Sequence, residues 1–290
     1  MSNEVVKYHN DMNRLIMRDW TPEEMDFFFA IVWKIRNHST KEISVGKNEL
    51  SKLAEYSRKH NIELRRIFRR LAKQMHRLIW ENESFDGKMY RYEVMPMFTR
   101  ASFEWNKEMT DMTAYFQITD AFTYLVNDLS ANFTSWELKE FTSIRSTYAK
   151  TAYRLLKQYR STGYRKFNVE EFRLLFDIPK SYKACNVQTR VLKPILTELK
   201  PYFFDLKIKP IKKRTHGNPI IEYEFRWQPS LIEDWDDQKY DKKALATSQR
   251  VKQKKKANDP TWYDDKETHQ ASDELIEQAL EVQKSRKEQQ

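Results

Sequence analysis

Histidine and cysteine spacing is where metal or covalent chemistry would first show. His9, His38, His60, His76, His216 and His269 are scattered, and no H-x-H, H-E-x-x-H or H-x3–5-H pattern joins them. A nickase needs a metal-binding His pair beside its nucleophilic tyrosine, and 15 tyrosines stand here without such a pair. Cys185 is the single cysteine, so the chain has no intrachain disulfide and no cysteine-built zinc site; it reads as a structural thiol. Asp236-Asp237 and Asp264-Asp265 are acidic pairs, but they fall in a polar stretch and read as solvated. The four glycines, Gly46, Gly87, Gly163 and Gly217, are far apart, which excludes a P-loop ATPase and a Rossmann dehydrogenase. No catalytic, metal or cofactor site is expected, and the chain is not expected to be an enzyme.

The residues that do cluster are cations. The chain of 290 residues carries a net charge of +10. From Gln228 onward 12 basic and 14 acidic side chains leave −2, so the first 227 residues hold 40 basic against 28 acidic, or +12. A basic body of this kind points to a polyanion, most often nucleic acid. Two segments concentrate the charge. Asn186, Thr189, Arg190 and Lys193 recur at i, i+3, i+4 and i+7, opposite the apolar stripe Val187, Val191, Leu192, Ile195 and Leu199, with Lys183 just ahead. Arg suits guanine O6/N7 and Asn suits adenine, while Thr and Lys reach base edges or phosphate. Arg65, Arg66, Arg69, Arg70, Lys73 and Arg77 follow one another with no acid after Glu63. That series suits phosphate contact rather than sequence reading.

The elements that must position these groups follow from caps and periodicity. Thr21-Pro22-x-Glu24 is a capping box with proline at the first helical position, and Met25, Phe28, Phe29, Val32 and Trp33 repeat at helical spacing behind it. A short helix is expected around Asn13, Leu15 and Ile16, a strand at Ile43–Val45, and helices at 48–56 and 61–76. Strands at 77–80 and 89–98 flank a turn at 82–87, and another strand is expected at 114–118. A long helix is expected over 143–159, ending near Gly163. Pro194 is expected to kink or tighten the helix that contains it.

A shift of 124 residues lays Ile43-Ser44-Val45 on Phe167-Asn168-Val169 and Leu50 on Leu174. It also lays Ile67, Phe68, Leu71 and Met75 on Val191, Leu192, Ile195 and Leu199, without a gap. At a shift of 131, Tyr92-Glu93-Val94 falls on Tyr223-Glu224-Phe225. Each unit reads strand, helix, turn, helix, hairpin, which is a winged helix written twice. In that module the last helix before the hairpin enters the major groove. The second hairpin loop, 209–219, carries Lys212, Lys213, Arg214 and His216 and suits a phosphate backbone.

These residues resemble the iteron-binding plasmid replication initiators of the Rep type 3 family. The resemblance rests on Asn13-x-Leu15-Ile16 with Thr21-Pro22-Glu23-Glu24, on Ser146-x-Tyr148-Ala149-Lys150-x2-Tyr153-x-Leu155-Leu156, and on Phe167-x-Val169-x2-Phe172-x2-Leu175. Val191-Leu192-Lys193-Pro194-Ile195 adds the proline inside the last helix. The match covers about residues 5 to 229. It implies double-stranded DNA with repeated origin sites as the ligand, and a second domain that reads them. It further implies a first domain that contacts backbone and self-associates, and recruitment of the host initiator and replicative helicase. The alternative carried beside it is a two-domain winged-helix transcriptional repressor.

The expected architecture is therefore α+β, with two tandem winged-helix domains and a flexible C-terminal tail. Residues 1–135 form the first domain, 136–229 the second, and 230–290 a mixed-charge tail with a short helix near 272–287. The longest apolar run, 27–33, is too short for a bilayer, the start is no signal peptide, and no membrane is expected, so the cytoplasm is the expected location.

Overall fold

The computed structural model describes residues 4–17, 19–57, 61–127, 129, 132–215 and 218–230. The expected tail, with its helix at 272–287 and its acidic pairs, lies outside the described residues, as do His60 and His216.

Helix α1 (Pro22–Ile35) starts where the capping box requires. Thr21 Oγ1 accepts from Glu24 N at 3.2 Å, and Glu24 Oε2 accepts from Thr21 N at 2.8 Å. The helix is buried from Glu24 to Val32, so it is the axis of the first unit rather than a surface helix. Phe27 meets Phe68 with ring centroids 5.1 Å apart, while Phe29 meets Trp136 at 5.0 Å and Phe141 at 4.9 Å. Around it lie β1 (Val5–His9), a 3-10 turn (Asn10–Arg14), β2 (Ile43–Gly46), α2 (Lys47–Leu53) and α3 (Asn61–His76). Then come β3 (Ile79–Phe85), β4 (Tyr90–Pro96), β5 (Phe98–Trp105), β6 (Met112–Ile118) and β7 (Phe133–Glu137). β1 pairs with β7, so the expected boundary at 135/136 falls inside a strand. Two short helices follow, α4 (Leu138–Thr142) and α5 (Thr147–Gln158). The helix expected from 143 instead begins behind a Ser146 cap. The second unit continues with β8 (Tyr164–Asn168), α6 (Val169–Leu175), α7 (Ala184–Val187), a π-turn (Gln188–Leu192), α8 (Lys193–Leu199), β9 (Lys207–Lys212) and β10 (Ile220–Arg226).

The duplication is present, with two corrections to its register. Sheet β2-β6-β5 and sheet β8-β10-β9 have one topology, the first strand lying against the last. Gly46 and Asn168 each cap the helix that follows, and Leu50 and Phe172 are each buried in it. This stretch therefore aligns two residues short of the gapless shift, which the repeated β-alternation of buried and exposed residues disguised. The hairpin match is overturned more fully. Tyr223 faces Phe167, as Ala114 faces Val45, so the first unit's wing is β5–β6. β3–β4 is an extra hairpin between helix and wing. Its amphipathic alternation resembles any hairpin, and local pattern could not say which one closes the sheet. Its first strand also runs on through residues 82–85, and the turn comes later. There Asp86 Oδ1 accepts from Lys88 N and Met89 N, both at 2.9 Å, and these two bonds hold its carboxyl below the usual range.

Gly163 closes the α5–β8 connection at φ +66, and a Cβ there would stand 2.5 Å from the Trp227 carbonyl oxygen, so only glycine fits. α5 itself joins the units. Beside its buried Ala152, Tyr153 and Leu156 it carries Lys150 and Arg154, both buried. Lys150 Nζ donates to Asp26 Oδ1 at 2.5 Å and to the Phe141 carbonyl at 2.6 Å. Arg154 donates to the Met12 carbonyl at 3.0 Å and to the Leu15 carbonyl at 2.5 Å. Loss of water pushes the Asp26 carboxyl up to about 7 and the Lys150 ammonium down, each against the attraction of the other.

Removing one partner of a buried pair strands the other. Lys150→Met should cost about 3–5 kcal/mol of stability at pH 8. The cost should shrink as pH falls, starting above pH 7, because loss of the ammonium lifts the Asp26 carboxyl beyond the value of about 7 that it has beside Lys150, and the stranded group takes up a proton. Asp26→Leu with Lys150→Met should recover most of the loss. Urea unfolding of the three proteins at pH 6 and 8 checks this.

Candidate nucleic-acid interface

In the second unit Val187, Val191, Leu192, Ile195 and Leu199 are buried, and they seat α7, the π-turn and α8 as one rod. The proline loosens the helix instead of tightening it. An α-turn would set the Pro194 ring against the carbonyl four residues back. The chain widens, and Lys193 N donates to the Gln188 carbonyl, five residues back. Among the groups predicted to face a polyanion, Lys183, Thr189, Arg190 and Lys193 are exposed. Thr189 Oγ1 donates back to the Cys185 carbonyl at 2.9 Å. Arg190 lies 5.3 Å over the Tyr182 ring, with its Nη1 3.4 Å from the phenol oxygen. The Tyr182 carbonyl is in turn held by Arg173 at 2.6 Å. Asn186 is half-buried, and its Oδ1 accepts from Lys183 N at 3.1 Å and is approached by Cys185 Sγ at 4.0 Å, so the oxygen is engaged at the start of the helix while the amide hydrogens are not. Cys185, read as a structural thiol, is exposed on the outer side instead. On the wing, Lys212, Lys213 and Arg214 are exposed at and beyond the end of β9.

In the first unit α3 buries Leu64, Ile67, Phe68, Leu71 and Met75. The predicted basic series is divided by its partners. Arg65 donates to the Lys107 carbonyl at 3.3 Å. Arg70 pairs with Glu24 at 2.7 Å and donates to the Asp19 carbonyl at 2.8 Å. Arg69 lies 5.7 Å over the Trp105 ring. Arg66 is 74% exposed, with only a 3.8 Å approach to Glu63, and Lys73 and Arg77 are exposed. The wing loop between β5 and β6 is clamped. Lys47 Nζ donates to the Met109 carbonyl at 2.5 Å, Asn61 Nδ2 to the Glu108 carbonyl at 2.9 Å, and Arg65 to the Lys107 carbonyl, so three successive carbonyls are held by side chains of α2 and α3. The first unit thus presents a helix without a free basic wing, and the second presents both.

Sequence reading missed Ile62, 81% exposed in the first turn of α3, and Gln188, exposed in the π-turn. An apolar residue out of phase with the buried stripe is the signal that finds Ile62. The one-residue excess in the spacing Val187–Val191 over Leu64–Ile67 is the signal for the π-turn. Among the described residues no group of three His, Cys, Asp or Glu could hold a metal, and no helix is long and apolar enough to cross a membrane.

Residues 5–157 match the family described as Initiator Replication protein, WH1, and residues 168–227 match Initiator Rep protein, WH2. A probable replication protein rep from Bifidobacterium longum (strain NCC 2705) is 31% identical over 223 residues, covering 75% of this chain and 72% of that protein. The fold resembles the crystal structure of Pi initiator protein in complex with iteron DNA. The TM-score is 0.58 and the identity 12%, over 81% of this chain and 100% of that one.

The partners predict different variants. Lys73→Ala should lower affinity for any duplex DNA and flatten the plot of log K against log salt by about 0.9. Arg65→Ala should leave that slope nearly unchanged and raise amide exchange in residues 106–111. Salt-series binding and hydrogen exchange on the two proteins check the division.

Proposed function

The chain belongs to the initiator replication proteins that carry two winged helices, and on that premise we propose that it starts replication of a plasmid by binding direct repeats, iterons, at the origin. The observation that carries this reading is the set of exposed cations on the second unit. Arg190 and Lys193 lie on the helix that a winged helix lays in the major groove, and Lys212, Lys213 and Arg214 on the wing beside it. The first unit adds Arg66, Arg69 and Lys73 against the backbone, while Arg65 and Arg70 support the fold from the same helix. The work is binding and strand destabilisation in the cytoplasm, with the host initiator and replicative helicase recruited to supply the ATP-driven steps; the chain carries no Walker loop of its own. The same surface suits repression of its own promoter.

Self-association fits the extra hairpin. β3 and β4 form a sheet of two strands with no third strand among the described residues. Ile79, Phe85, Tyr90, Tyr92 and Val94 are all exposed and, by the strand register, lie on one face, which Glu81 and Glu83 share. A two-stranded sheet with exposed apolar side chains on one face and open edges gains from pairing with a second copy of itself.

Two measurements test this. With about 6–10 phosphates neutralised, log K on a single repeat should fall with log salt at a slope near −5 to −9, and Arg190→Ala should cost roughly 1–3 kcal/mol on the repeat but little on random DNA. A slope shallower than about −2 would remove DNA as the ligand. Tyr92→Glu with Val94→Glu should abolish dimers in sedimentation while single-repeat binding persists. Dimers that persist would put the contact elsewhere.

A further inference from the structure

The recognition helix of the second unit is not a continuous α-helix, and this changes which side chains face outward. Its buried residues run Val187, Val191, Leu192, Ile195 and Leu199, where α3 runs Leu64, Ile67, Phe68, Leu71 and Met75. The first step is four residues in one helix and three in the other. The additional residue is housed in the π-turn, closed by Lys193 N on the Gln188 carbonyl. At 3.6 residues per turn, one extra residue turns everything ahead of it by roughly 100° relative to an unbroken helix. The line Asn186, Thr189, Arg190, Lys193, straight on a helical wheel, is therefore broken in space.

Two of its members are turned aside. Asn186 spends its carbonyl oxygen on Lys183 N at 3.1 Å, and Arg190 lies along the Tyr182 ring. Adenine recognition by an amide needs a donor and an acceptor together, for N7 and N6. Asn186 is half-buried and has its acceptor engaged by Lys183 N and, at 4.0 Å, by Cys185 Sγ. Gln188 keeps both, because it is exposed and its amide has no partner among the described residues. It stands next to Thr189 on the turn that the proline forces open.

We infer that Gln188, and not Asn186, reads an adenine in the repeat, with Asn186 serving as the cap that starts the helix. The inference rests on the DNA-binding reading above. It is tested with the full chain on a repeat in which each position is randomised in turn. Wild-type protein should prefer adenine at one position that Gln188→Ala reads without preference, with discrimination there falling about tenfold or more. Gln188→Glu should move the preference at that position to cytosine, whose amino group a carboxylate accepts. Asn186→Asp retains a cap acceptor for Lys183 N, so it should lower affinity evenly and keep the adenine preference. Unchanged preferences in Gln188→Ala, or loss of the adenine preference in Asn186→Asp, would overturn the inference alone. Wild-type protein with no preference for the repeat over random DNA would overturn the DNA reading and this inference with it.

Discussion

Two cations on one helix hold the arrangement together. Lys150 and Arg154, a turn apart on α5, put their charged ends into the first unit, one on Asp26 of its central helix and the other on the carbonyls of Met12 and Leu15. Burying such ions costs several kcal/mol each and is sustained only where every hydrogen bond is met. The surrounding network meets most of that demand, leaving Arg154 Nε buried without a partner among the described residues. Asn13, in the same 3-10 turn, donates to Thr134 and accepts from Tyr8, and Tyr8 accepts from Trp136. The turn that receives Arg154 thus also carries Asn13, whose side chain ties Tyr8 of β1 to Thr134 of β7. A change at α5 is felt in the strand pair and in α1 together, and the spacing between the two recognition helices depends on this joint.

Much of this was legible in the chain. The capping box of α1, the limits of α3 and the duplicated module follow from spacing, because caps and 3.6-residue stripes are local physics. The departures share a cause. Which hairpin closes the wing sheet is a question of partners, and Tyr92-Glu93-Val94 alternates just as β10 does while pairing, among the described residues, with β3 alone. The gapless register failed for the same reason, since alternation of period two fits at a shift of two. The π-turn was signalled by Pro194, but the direction of its effect depended on relief of a clash with the carbonyl four residues back.

The candidate site divided in the same way. Sequence counting finds the basic series on α3 but cannot say which cations are spent. Arg65 and Arg70 look like Arg66 and Lys73 on a wheel, and tertiary contacts alone give the first two to carbonyls and Glu24. On the second helix Asn186, Thr189, Arg190 and Lys193 were found by an α-helical wheel. Gln188 was missed because that wheel does not apply across a widened turn. The two units are therefore alike in topology and unlike in grip. One has its wing tied down by Lys47, Asn61 and Arg65, and the other carries a wing with exposed cations at its end.

The joint also orders events during synthesis. Asp26 and Lys150 are 124 residues apart in the chain. At about 5–20 residues per second, a nascent first unit waits roughly 6–25 s for the helix that completes it. Throughout that interval Asp26 has no cation, and the carbonyls of Met12 and Leu15 have no guanidinium. The first unit is thus finished only when α5 has been made, and the second closes later still, when β10 enters its sheet.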